Sequence, residues 1–236
     1  MPRRPGRPRA SGGPDTGRGT AQDLLDAAAA LFCTVGYTST STYAIAERAG
    51  VRQASMYHHF PNKHAILLEL LLGTVQPSLR NADLLLADDA PPAARLWALC
   101  HSDVEVLCAG RDNLGALYLL PELADERFAP FRELHLALRT RYRTLVGQVP
   151  SVAEADVAPL AGLAFSLVES VILRRRDEPD LQAAEVASPV ADAVQRLLGM
   201  PEEALAEVRA EGRRLCAALP PAATSGTDAG FRPAEI

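Results

Sequence analysis

The sequence predicts an all-α protein, a short three-helix unit in front of a larger helical body. Three observations lead there. Apolar residues recur at helical spacing from Thr20 to about residue 217, with no alternating strand pattern of useful length. Gly and Pro fall where turns between helices are needed, at Gly36, Gly50, Pro61, Pro77, Pro91-Pro92, Gly110, Pro121 and Pro150. Charge divides the chain. Residues 1–63 carry eight Arg and Lys against four acids, and the remainder carries sixteen against twenty-five. A basic front on an acidic body implies that only the front meets a polyanion.

The 236 residues, 48 % hydrophobic, suffice for one small and one medium domain with a real core. No apolar run follows the basic N-terminus, as a secretory signal would require. No uninterrupted apolar stretch reaches membrane-spanning length; "AILLELLLGTV" is too short and contains Glu69. Cys33, Cys100, Cys108 and Cys216 form no CxxC pair and read as reduced thiols of a cytoplasmic protein.

Residues 1–19 are rich in Pro, Gly and Arg and read as a disordered basic arm. Thr20 then reads as a helix N-cap with Asp23 as its capping-box acid. Leu24, Ala28, Leu31, Phe32 and Val35 form the apolar stripe of a first helix, and Gly36 ends it. Thr40 or Ser41 caps a short second helix carrying Ile45 and Ala49, and Gly50 permits a tight turn. A third helix over Gly50–Phe60 stops at Pro61-Asn62. Two short helices joined by a Gly-containing turn form a helix-turn-helix. The domain is placed at residues 20–72. A helical body at 73–219 follows, with helices expected near 63–74, 77–87, 92–109, 113–120, 126–148, 155–175 and 187–217, and a disordered tail at 220–236.

The stretch "GVRQASMYHHF" carries the chemistry. On a helix, Met56 and Phe60 point inward, while Gln53, Ala54, Tyr57 and His58 share the outer side. Gln pairs with adenine in a major groove, Ala touches a thymine methyl, and Tyr and His hold phosphates. Arg52 stands at the helix start, where an anion is also favoured. A solvated, polar surface helix is the plainer reading of these residues taken alone.

The matched positions from Thr20 to about Leu72 favour the first reading. Gly36-Tyr37, Thr40-Ser41, Ile45-Ala46, Ala49-Gly50-Val51, Tyr57, His59-Phe60, Lys63 and Leu67 together resemble the DNA-binding domain of the TetR family of transcriptional regulators. The resemblance implies an all-α homodimer with an N-terminal three-helix DNA-binding domain and a larger helical ligand-binding and dimerisation domain. It implies that Ser41, Tyr57, His59 and Lys63 hold phosphates of a double-stranded operator, and that Gln53, Ala54 and Ser55 approach bases. Arg52 departs from the family's small hydroxyl residue, so the recognition helix lacks a side-chain cap. Ala54 stands where the family often has Gly.

In the arm, Gly6-Arg7-Pro8 flanked by arginines resembles a minor-groove hook, with Arg7 central; a mobile solubilising tail is the alternative. In the body, Trp97, Cys100, His101, Val104, Tyr118, Phe131 and His135 are the candidate walls of an effector pocket, although any one of them also suits ordinary core. Leu160, Leu163, Leu167 and Val171, with small residues between them, suit a helical interface between two subunits. No G-x-S-x-G, P-loop, G-x-G-x-x-G or H-E-x-x-H occurs, and neither a metal nor a cofactor is expected. The expected function is a repressor released by a small apolar or amphipathic effector. The alternatives are an effector-independent DNA binder and an enzyme with a regulatory DNA-binding head.

Overall fold

The computed structural model describes residues 19–220, which are helical with no strand among them. By their contacts they divide into two units, one ending at Leu70 and the other starting at Leu71. The basic arm and its Arg7, and the residues after Pro220, lie outside the described residues.

The first unit holds α1 (Thr20–Thr34), α2 (Thr42–Arg48), α3 (Gln53–His59) and the N-terminal turns of α4 (Lys63–Ala87). Its core is Leu24, Ala28 and Phe32 from α1, Ile45 from α2, Met56 from α3, with Phe60, Ile66 and Leu67. Seven-residue helices are marginal alone, so α2 and α3 exist because these anchors are buried. Ser41 caps α2, its hydroxyl accepting from the Ala44 N–H at 3.1 Å. Gly50, at φ 67°, closes α2, and the Val51 N–H returns to the Ala46 carbonyl at 2.9 Å. That left-handed residue makes the turn into α3 tight. At α1 the expectation fails: Thr20 is already helical, Gly19 is the cap residue, and no side chain caps the helix. Asp23 still lies in the first turn, where it complements the helix dipole.

The second unit is built around α5 (Pro92–Cys108), which packs against α6 (Ala129–Gln148), α7 (Val157–Asp177), α8 (Ala183–Leu197) and α9 (Glu202–Ala218). Three short 3-10 turns cross from Leu114 to Phe128. Here the structure corrects four boundaries. The helices expected at 63–74 and 77–87 are one, because α4 continues through Pro77. The carbonyl that loses its N–H partner there belongs to Gly73, an exposed residue. The expected helix at 113–120 is a 3-10 turn, Leu114–Leu119. The helix expected from residue 126 begins as a 3-10 turn, and α6 starts at Ala129. The expected helix 187–217 is two, parted at Gly199 (φ 79°), Met200 and Pro201.

One helical stretch, Glu154–Asp177, is long and apolar enough by composition to cross a membrane, contrary to the expectation that none would be. In the structure α7 packs on α5, α6 and α8, burying Ala161, Ala164, Phe165, Val168, Val171 and Ile172.

Close approach of α9 to α5 depends on Gly212. A Cβ at this position would collide with the Trp97 ring, which is fully buried. Gly212→Ala is expected to lower unfolding stability by about 1–3 kcal/mol through overpacking. Gly73→Ala, where nothing lies within 4 Å of the new methyl, is expected to be neutral or stabilising. Thermal unfolding of the two variants checks the contrast.

Candidate functional site

Two regions hold chemistry. The first is the outer face of α3. Met56 and Phe60 are buried and fix the helix, leaving Arg52, Gln53, Ala54, Tyr57, His58 and His59 exposed and Ser55 half-buried. The expected cap gap is present: no side chain caps α3 at Arg52. Tyr57, 48 % exposed, is a large ring at the surface of an aromatic-poor chain, with its hydroxyl 3.3 Å from Thr42 Oγ1. The Gln53 amide donates to the same Thr42 oxygen at 3.1 Å. Thr42 thus ties α2 to α3 and fixes which way the amide and phenol point. Ser41 uses its oxygen to cap α2 and keeps its own proton for an outside acceptor.

Thr42 did not figure among the expected site residues. Its position directly after the Ser41 cap, one helix away from Gln53, was the available signal. Tyr43, 60 % exposed beside it, was also missed.

Lys63 is placed differently from the other expected contacts. Its ammonium donates to the carbonyls of Tyr37 (2.7 Å) and Thr40 (2.9 Å), with Thr38 at 3.4 Å, and stands 4.3 Å over the Tyr37 ring. These contacts clamp the segment that leads into Ser41 and α2. The charge of the unit is also not what the whole front suggested. Residues 19–70 hold three cations, Arg48, Arg52 and Lys63, against four acids. The excess of arginine belongs to residues 1–18.

The second region is a cavity of about 20 Å³ in the body, room for one water-sized group. Thr74, Ser78, Asp103, Tyr118, His135 and Glu169 line its polar side, and Leu138, Phe165 and Val168 its apolar side. Of the expected pocket residues, Tyr118 and His135 stand in this wall. Phe131 backs it, its ring 5.1 Å from Tyr118 and 5.6 Å from His135. Trp97, Cys100, His101 and Val104 lie elsewhere on α5. Trp97 donates to Asp192 at 2.8 Å, and His101 stacks on the Trp97 ring at 4.9 Å. Burial pushes the Cys100 thiol far up and the Cys216 thiol up to about 12, so neither is a ready thiolate.

Asp103 was not among the expected pocket residues. It is buried, and one oxygen accepts from the Tyr142 hydroxyl at 2.7 Å. Burial lifts its carboxyl to about 7, against the pull of Tyr142 and Ser78 and with a small further push from Glu169.

Two short helices joined by a tight glycine turn, the second with an exposed polar face, form a helix-turn-helix of the kind DNA-binding regulators carry. Residues 24–70 match the family described as bacterial regulatory proteins, tetR family. The crystal structure of Mycobacterium smegmatis AmtR is similar at 43 % identity and a TM-score of 0.76, over 94 % of this chain and all of that one. The repressor KstR2 of Rhodococcus jostii is 32 % identical over 124 residues; the match covers 51 % of this chain and spans 60 % of the relative's length. The structure of KstR2 from Mycobacterium tuberculosis, 22 % identical with a TM-score of 0.63, covers 81 % of this chain and 97 % of its own and shares the fold. The chain belongs to the TetR family of bacterial transcriptional regulators.

Two outcomes follow from the geometry. Lys63→Met is expected to lower stability by about 1–2 kcal/mol, since it removes charge-assisted bonds to the 37–40 segment. It should leave the slope of log K against log salt unchanged, whereas losing a phosphate contact would reduce that slope by about 1. Asp103 has a folded pKa above its unfolded value near 4. It therefore costs stability as pH rises from about 4 to about 7, and the cost is constant above that. Asp103→Asn is expected to gain on the wild type across this window in unfolding midpoints measured against pH.

Proposed function

We propose that the protein is a repressor that binds a near-palindromic operator as a homodimer and is released by a small effector held in the body. The observation that carries this reading is the exposed face of α3, with Gln53 and Tyr57 oriented by Thr42. Arg52, Gln53, Ala54 and Ser55 would approach base edges. Ser41, Tyr57, His58 and His59 would hold phosphates, with Thr42 and Tyr43 beside them. Lys63 would act through the 37–40 segment it clamps.

A seven-residue helix reads too few bases for a specific site, so two copies reading successive grooves are needed. α7 offers a surface for pairing. Leu163 and Leu173 are exposed, and Leu160 and Leu167 are half-buried along the same helix. An effector releases the operator only if it binds the state that does not fit DNA more tightly than the state that does. The cavity supports an effector, and its mixed lining suits an amphipathic one. Its volume is far below that of a pocket for a drug-sized ligand, about 300–1,000 Å³. A large ligand of the kind a ketosteroid regulator's name suggests would therefore require the walls to part.

The test is selection of bound sequences from random DNA. Inverted repeats with half-site centres about 10 bp apart are expected. A lone half-site, or no preference at moderate salt, would overturn the reading. Deleting residues 2–10, which removes four arginines, should weaken binding to every sequence alike and flatten its salt dependence. A salt titration of wild type and deletion reads both effects.

A further inference from the structure

The polar groups around the body cavity can be followed proton by proton. Thr74 Oγ1 donates to the Leu71 carbonyl at 2.6 Å. The Tyr118 hydroxyl, also 2.6 Å from Thr74 Oγ1, must therefore give its own proton to that oxygen. Tyr142 gives its proton to Asp103 Oδ2. His135 Nε2 lies 2.8 Å from Glu169 Oε1, where a ring N–H donates and the carboxylate accepts. Apart from the Ser78 hydroxyl, the groups left to meet a ligand are acceptors: the Tyr118 oxygen, the Glu169 carboxylate and Asp103 Oδ1.

Asp103 Oδ1 is the decisive atom. Asp103 is 2 % exposed, it lines the cavity, and Oδ1 has no hydrogen-bond partner. The Ser78 hydroxyl also interacts with this carboxyl and lowers its pKa, while Oδ1 itself meets no donor in hydrogen-bond geometry. No Arg or Lys lines the cavity. Buried acceptors are rarely left unpaired, because they lose water and gain nothing. An anionic ligand would meet the Glu169 carboxylate and an Asp103 side chain that turns anionic above about pH 7, with no cation to offset either. A purely apolar ligand would leave Oδ1 as it is. A cation bearing N–H groups supplies both the missing donors and the missing charge.

We infer that the cavity binds a small primary amine in its ammonium form, with one N–H directed to Asp103 Oδ1 and others to Tyr118 and Glu169. The head group is about the size the cavity admits, and a short alkyl chain would require the apolar wall of Leu138, Phe165 and Val168 to part. This names the ligand class for the effector reading above and rests on it.

The experiment uses the full chain at constant ionic strength and follows the unfolding midpoint with methylammonium and n-propylammonium. Tetramethylammonium, propionate and propanol are the controls. Primary amines should raise the midpoint saturably, and the controls should not. Asp103→Asn, which keeps the shape of the side chain, should weaken the amine response about tenfold or more. Val168→Ile fills the cavity with the carboxylate in place and should abolish the response, which protects the test against a folding defect in the first variant. Equal shifts from tetramethylammonium, propionate or propanol overturn the inference, as does an amine response that both variants retain. Release of the selected operator is measured separately. Amine binding without release leaves the site standing and removes the effector reading. Operator binding with no amine response removes this inference alone.

Discussion

Burial of α5 on almost every side is the constraint from which the body follows. Away from the strip of His101, Glu105 and Cys108, α5 cannot leave its polar groups to water, and most of them find a partner on a neighbouring helix. Trp97 reaches Asp192 on α8, and Asp192 in turn accepts from Arg209 on α9 at 2.6 Å. Gln195 on α8 donates to the Ala93 carbonyl in the first turn of α5. At the other end, Arg175 on α7 donates to the Leu107 and Gly110 carbonyls, a buried cation where the helix dipole is negative. Arg95, on α5 itself, does the same for the Leu85 and Leu86 carbonyls near the end of α4. Apolar burial supplies most of the stabilisation, but these directional bonds select which helix lies against which. Asp103 belongs to the same set and is only half satisfied, by Tyr142. The buried α5 carboxylate, with an oxygen to spare, faces a cavity.

The first unit is held by the opposite arrangement. Its short helices keep one face open, and a few anchors do the holding. Met56 and Phe60 bury one side of α3, and Gly50 fixes the turn that leads into it. Lys63 ties down the carbonyls before Ser41, so the start of α2 is defined from outside the helix. Thr42 then couples α2 to α3 through Gln53 and Tyr57. Preorganised side chains lose less entropy on meeting a partner, so this link bears on affinity as well as orientation.

The sequence was most informative where local chemistry decides structure. Ser41, Gly50, and the inward Met56 and Phe60 against the outward Gln53 and Tyr57 were legible from spacing and residue type alone. It misled where tertiary context overrides a local rule. Pro77 reads as a helix break, yet the flanking helix is long enough to carry one missing bond beside an exposed glycine. Gly199 and Pro201 were a break in plain view, hidden by the strong helical pattern on either side. For Lys63, expected as a phosphate contact from the family resemblance, the fold adds what no sequence pattern shows, the three carbonyls beneath its ammonium. The cavity was legible in part. Of the two polar handles expected, Tyr118 lines the cavity and His101 does not, and His135 from the aromatic stretch that followed lines it too; Asp103 was invisible, because no local pattern tells a buried carboxylate from a solvated one.

The division of charge bears on how such a protein would discriminate among DNA sequences. Phosphate attraction is sequence-independent and depends steeply on salt, whereas base contacts carry the discrimination. Within residues 19–70 acids slightly outnumber Arg and Lys, so the folded unit contributes little net attraction of its own. The arginines that could supply it stand in the N-terminal arm, separate in sequence from Gln53, Ala54 and Ser55. In the proposed function, affinity at a given salt concentration and preference among sites are therefore set by different parts of the chain. A folded unit without excess positive charge binds wrong sequences weakly, so more of its binding energy must come from side chains that read bases.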